Sequence, residues 1–307
     1  MILNKLNKNL GVVFFKNPNS LNYNLFNLFF KKNIANFQNS QIKDYHELGF
    51  LKPDINSYEL AKYLSNEINK SEAKKIEKLS NEHSISFFIK DEMKKKIKLH
   101  LENNFKDSIE ILRNYYRSDI AVANVHLKRN YGLKDSTYYD SQQRTKQFEF
   151  YNNYFHCDYY TMNYFKLFIN LQDITPDDGP LTFYSIQDTK KFVKRSKFKN
   201  RNDYKNIIME REIKNCGKIG DSLFLNTPQC VHKASIPKFG NYRDVLFITF
   251  MAVPEKIDNI FYFEKDYQED IWGSGKDLVK RFSKPNNFRK TYRLYKSFRE
   301  NLKNNKY

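Results

Sequence analysis

The stretch Tyr151-Asn-Asn-Tyr-Phe-His-Cys-Asp-Tyr-Tyr160 decides how this chain reads, because it sets His156 two residues before Asp158. Its aromatic content favours a β-strand. On a strand, residues i and i+2 point to one face. An imidazole and a carboxylate then project together, as two ligands of one metal would. Cys157 lies between them and points away. Far along the chain His232 closes one strand-like run, and Arg243 opens the next.

Two His and one carboxylate form the facial triad that suits Fe(II) and leaves coordination positions open for a co-substrate and O2. His156 and Asp158 alone would as readily be a hydrogen-bonded surface pair. His232 alone would be a satisfied core histidine. Arg243 alone would be a surface ion pair. It is the ordered set that points to a metal site. His100-Leu-Glu102 has a similar spacing but falls in a helical stretch, where i and i+2 face apart and cannot share an ion. His126, Lys166 and Asn170 sit at strand positions whose parity makes them candidate cofactor-binding residues. A buried structural role is the alternative for His126. Ser235 and Thr249 are further polar candidates. Tyr151, Tyr154, Tyr159 and Tyr160 read mostly as barrel packing.

Composition bounds the rest. The 307 residues suit one large domain, and 40% hydrophobic with 16% aromatic residues are enough for a core. The formal charge of +18 raises the prior for anionic partners. The plain alternative is lysine spread over solvated faces, and no nucleic-acid-binding motif stands out. The three cysteines, Cys157, Cys216 and Cys230, match neither a zinc site nor a disulfide framework. That favours a reduced, cytoplasmic protein, which also suits ferrous iron. No apolar run has the length of a signal core or of a transmembrane helix.

Residues 1–50 read as an N-terminal extension packed on the core, with a short element over Leu25 to Lys32. Residues 51–275 read as one domain. Its part at about 55–117 is mainly helical: Asn56 and Glu59 cap a helix, Ser71 caps a second over Glu72 to Leu79, and Asp91 begins a third through Met93, Ile97, Leu99 and Leu101. Ser108 to Tyr116 continues, with Ile109, Leu112 and Tyr116 on one face. From about 119 to 253 strands dominate: Ile120–Leu127, then about 148–161, 163–173, 180–186, 210–215, 222–227, 230–236 and 243–253. Residues 188–208 form a basic loop or short helix. Short strands separated by turns argue for a jelly roll or barrel. Residues 276–307 form a basic, aromatic tail, read as a helix docked on its own domain or touching lipid or a partner.

With these pieces in order, the chain resembles the phytanoyl-CoA dioxygenase-like family of Fe(II)/2-oxoglutarate-dependent oxygenases over about residues 119 to 253. Asn124-Val-His-Leu127 resembles a strand preceding the metal motif, and His156-Cys-Asp158 matches its His-x-Asp. Lys166-Leu-Phe-Ile-Asn-Leu-Gln-Asp173 and Asp178-Gly-Pro-Leu181 resemble the next strand and its Gly-Pro turn. Gly220-Asp-Ser-Leu-Phe-Leu225 resembles the turn and strand before the distal histidine, His232. Arg243 stands where the family places its 2-oxoglutarate-binding arginine. The chain departs from the family at Ser185-Ile-Gln-Asp188, where a Pro-Gly-Ser-His loop is usual, so the acyl-CoA substrate does not carry over.

The resemblance implies a double-stranded β-helix (jelly-roll, cupin-like) core, mainly β with α additions and flanked by N-terminal helices. It implies Fe(II) held by His156, Asp158 and His232, with 2-oxoglutarate and O2 as co-substrates. It further implies hydroxylation of a small or carrier-bound metabolite with release of succinate and CO2. Asp158 favours hydroxylation over halogenation, since the related halogenases carry Gly or Ala there. The basic segment 189–201 is expected at a rim or lid that recruits an anionic substrate. The alternatives are a non-catalytic jelly-roll binding protein with a relic metal site and an oxygenase acting on nucleic acid.

Overall fold

A computed structural model describes residues 40–72, 84–116, 119–132, 155–158, 164–195, 211–253, 257–262 and 271–272. Among them the helices are α1 (Ser40–Leu48), α2 (Tyr58–Glu72), α3 (Asp91–Asn104), α4 (Lys106–Tyr116) and α5 (Ile186–Arg195). The strands are β1 (Phe50–Leu51), β2 (Ser84–Phe87), β3 (Asp119–Tyr131), β4 (Tyr164–Asn170), β5 (Leu181–Phe183), β6 (Ile213–Lys214), β7 (Ser222–Leu225), β8 (His232–Ala234) and β9 (Tyr242–Val253). They build a six-stranded sheet in the order β1-β7-β4-β9-β3-β2 and a three-stranded sheet in the order β6-β5-β8. Every pairing is antiparallel. This is the two-sheet jelly-roll architecture that the spacing of strands and turns implies.

The pleat divides the large sheet into two chemically distinct faces. Phe165, Leu167 and Ile169 of β4, Leu246, Ile248 and Phe250 of β9, and Val125 and Leu127 of β3 join one buried apolar cluster. That cluster includes Leu60 and Leu64 of α2, Ile97 and Leu101 of α3, and Leu112 and Tyr116 of α4. The N-terminal helices are therefore the cover of one sheet face. Phe165 stacks between Tyr116 and Phe250, at ring-centroid distances of 5.4 and 5.3 Å. The alternate residues, Lys166, Phe168 and Asn170 of β4 with Arg243, Val245 and Phe247 of β9, line a cavity instead.

A buried ion pair ties the same strands together beside Arg243. Arg129 of β3 donates from Nε and Nη2 to both oxygens of Asp244, each at 2.7 Å, and from Nη2 to Asn69 of α2. Asp244 N donates to Gln172 Oε1, which adds the end of β4 to the group.

Several sequence expectations change. The strand expected over 180–186 ends at Phe183, and α5 begins at Ile186. Ser185 starts that helix by accepting from Asp188 N and donating to Asp188 Oδ2, a capping exchange that fixes the turn. Ser71, expected to cap a second helix, lies inside α2, and its Oγ donates to the Glu67 carbonyl. The helical region is interrupted by β2, whose Ser-Ile-Ser-Phe alternation reads as an edge strand beside β3. Leu99 on α3 faces solvent, while Met93, Ile97 and Leu101 are buried. Around the metal motif, the described residues 155–158 hold one isolated bridge at His156 rather than an extended ladder. The element expected at Leu25 to Lys32, the Glu72 to Leu79 helix beyond its first residue, the four candidate tyrosines and the tail 276–307 lie outside the described residues. No described helix is long and apolar enough to cross a membrane.

Phe250→Ala should cost about 3–5 kcal/mol, as for other large-to-small aromatic core changes. Chemical denaturation would read it as a lowered midpoint at unchanged slope. Asp244→Ala should cost about as much, because the buried Arg129 guanidinium loses both of its bonds to the carboxylate. The Arg129→Met/Asp244→Leu double variant should recover most of that loss, again read by denaturation.

Candidate metal centre

His156 and His232 lie far apart in the chain but pair through their backbones. His156 N donates to His232 O at 2.9 Å, and His232 N to His156 O at 2.8 Å. This bridge continues the small sheet beyond β8 and sets the two imidazole rings 4.4 Å apart between centroids. Two residues on, Asp158 N donates to Thr227 O at 3.0 Å, which anchors the carboxylate on the same side. One donor atom from each of His156, Asp158 and His232 lies within 4.8 Å of the others.

The chemistry of these donors fits a divalent ion. His156 Nε2 and His232 Nε2 stand 3.7 and 3.9 Å from Asp158 Oδ1, too far for hydrogen bonds and close enough to share a cation. His232 Nδ1 is 2.9 Å from the Cys230 carbonyl, which can only accept. Nδ1 therefore carries the proton, and Nε2 presents a lone pair to the centre. Burial would raise the Asp158 carboxyl, but the positive charges facing it, the Lys166 ammonium first, outweigh that. They hold it far below the usual carboxylate range, so it stays an anion.

The triad opens onto a cavity of about 120 Å³ that Arg243, Lys166 and Asn170 also line. Arg243 is buried, and its Nη1 donates to the Gly179 carbonyl. Gly179 has φ +67°, and a Cβ there would strike the backbone of Ser235 and Pro237. The Gly-Pro turn thus needs its glycine to bring a carbonyl against the arginine. Lys166 lines the cavity beside the triad. Its Nζ forms a 2.8 Å ion pair with Asp158 Oδ2. Asn170 is 3% exposed, and its Nδ2 has no partner among the described residues.

The structure keeps other candidates away. His126 is not part of the cavity wall; its ring lies 4.7 Å from that of Phe247, which is. Ser235 is taken up by Thr182 at 2.8 Å. His100 bonds Ser57 from its helix, so it is no ligand. The sequence reading missed Ser84, Lys128, Asn130 and Asn215, which line the cavity. The parity of β3, carried on from His126, reaches Lys128 and Asn130. Ser84 enters because it donates across the β2–β3 pair to Asn130 Oδ1 at 2.7 Å.

Among solved structures the chain is similar to EctD from S. alaskensis with 2-oxoglutarate and 5-hydroxyectoine, at TM-score 0.46 and 14% identity over 79% of this chain and 86% of that one. It is also similar to HygX from Streptomyces hygroscopicus with nickel and 2-oxoglutarate bound, at TM-score 0.43 and 11% identity over 70% and 87%. A third is EvdMO1, at TM-score 0.44 and 12% identity over 69% of this chain; the chain spans about half the length of that protein, 49%. No family model matches the chain, and no curated protein matches it. At such distances the chemistry has to be read from this chain's own side chains.

His232→Ala should weaken Co(II) binding by more than about 100-fold, since even changes to groups behind a ligand cost 10–100-fold. His126→Ala should leave it unchanged. Calorimetric titration of the folded variants reads both.

Proposed function

We propose that the protein is an Fe(II)- and 2-oxoglutarate-dependent dioxygenase that hydroxylates a small or carrier-bound metabolite, with succinate and CO2 as co-products. The observation that carries this reading is the convergence of His156, Asp158 and His232 on one cavity that also holds the buried Arg243. Iron, when bound, supplies O2 activation coupled to decarboxylation of the co-substrate and oxidation of a C–H bond. The protein's own groups do the rest. The two imidazoles and the carboxylate would hold the ion together and leave positions for a co-substrate. Arg243 offers a planar, permanently charged fork to the far carboxylate of 2-oxoglutarate, and Gly179 holds it in place through its carbonyl. The free Asn170 amide supports a further hydrogen bond to a ligand in the cavity, since a buried donor left without one costs stability. Phe168, Val245 and Phe247 give the cavity an apolar side.

The finer resemblance to phytanoyl-CoA dioxygenase-like enzymes belongs to this proposal, supported by the order of its motifs. So does an anionic substrate, suggested by the charge of +18. A cytoplasmic setting suits the free thiols of Cys157, Cys216 and Cys230.

Anaerobic addition of Fe(II) and 2-oxoglutarate should produce a visible metal-to-ligand charge-transfer band that His232→Ala abolishes. Arg243→Ala should need about 10- to 100-fold more 2-oxoglutarate for the same band, matching the 1.5–3 kcal/mol of a hydrogen bond to a charged group. Folded, iron-loaded protein without the band would leave a metal-binding protein with no co-substrate chemistry.

A further inference from the structure

We infer that Lys166 is a positioning residue that keeps Asp158 a one-oxygen ligand and so preserves an open place on the metal. The inference rests on the metal-centre reading above and goes beyond it. The two oxygens of Asp158 are in different surroundings. Oδ1 faces the imidazoles, 3.7 Å from His156 Nε2 and 3.9 Å from His232 Nε2. Oδ2 is turned to Lys166 Nζ at 2.8 Å. Only 11% of the Asp158 side chain and 19% of that of Lys166 is exposed, so little water competes for this pair. Lys166 is anchored at its backbone. Its backbone is laddered to Leu225 of β7 on one side and Thr249 of β9 on the other. Its ammonium also lies 5.7 Å from the centroid of the Phe247 ring.

A carboxylate near a divalent ion can bind through one oxygen or two. With one oxygen from Asp158, three protein donors occupy an octahedral ion and three positions remain. A co-substrate that chelates through two atoms then still leaves one position open. With both oxygens engaged, that last position is lost. Lys166 decides between these states by holding Oδ2. The same ammonium also weakens the attraction of the site for a cation, because it places a like charge beside the ion. The sequence reading took Lys166 as a contact of co-substrate or substrate; its short contact in the structure is with Asp158.

Mn(II) bound to the protein without co-substrate tests this, because water-proton relaxation reports the number of waters on the ion. Lys166→Met should bind Mn(II) at least about tenfold tighter, since a unit charge a few ångströms away is removed. Its relaxation enhancement per bound ion should fall by about a third, one coordinated water of three on an octahedral ion. Lys166→Gln, which keeps the chain length and loses the charge, should behave alike if the Met variant does not fold. Lys166→Arg should stay close to the native protein in both. Native enhancement in a folded, Mn(II)-saturated Met or Gln variant would overturn the role of Lys166 and leave the dioxygenase reading standing. Native protein that takes up no Mn(II) or Fe(II) would overturn both.

Discussion

The pleat of three central strands is the constraint on which the rest depends. β4, β9 and β3 are paired over most of their length, and the alternation of their side chains gives each sheet face a separate task. One set of residues meets the helices and makes the apolar cluster. The other set meets the small sheet and makes the cavity. A slip of one residue would put Leu167 and Leu246 into the cavity and Lys166 into the core. The buried Arg129–Asp244 pair guards against this. A charged pair can be satisfied only in its own register, and Asn69 and Gln172 bind it to α2 and the end of β4. Its worth is more in specifying that register than in net stability, because both charges had to leave water.

The candidate metal centre uses the same economy. Among the described residues a backbone bridge joins His156 and His232, and Thr227 adds one hydrogen bond for Asp158. Each group outside the triad then has a distinct part. The Cys230 carbonyl chooses the tautomer of His232. Lys166 takes the far oxygen of Asp158. The Gly179 carbonyl receives Arg243. The cavity that the triad shares with Arg243 is lined by both apolar and polar side chains, Phe168, Val245 and Phe247 beside Asn130, Asn170 and Asn215.

Much of the site was legible in the order of the chain. The His-x-Asp spacing, the distal His232, the Gly-Pro turn and Arg243 carry chemistry that few other residue types supply, so their spacing was enough. The walls were harder. Lys128 and Asn130 required parity to be followed beyond His126, and the cavity position of Ser84 depended on an edge strand inside a mainly helical region. α5 was read in part as a strand because Tyr184, Ser185 and Ile186 favour either state; the Ser185–Asp188 cap settled it.

By itself the sequence determined the two-sheet architecture, the helices α2, α3 and α4 that cover one sheet face, and which residues are the candidate metal ligands. These follow from periodicity and from residue types that are local properties of the chain. Only the tertiary structure decided that Lys166 serves Asp158, that His126 lies outside the cavity wall and that Arg243 rests on Gly179. Those are distances between strands that neighbour one another in space and not in sequence. They depend on which residues face each other across the pleat once the sheets have closed.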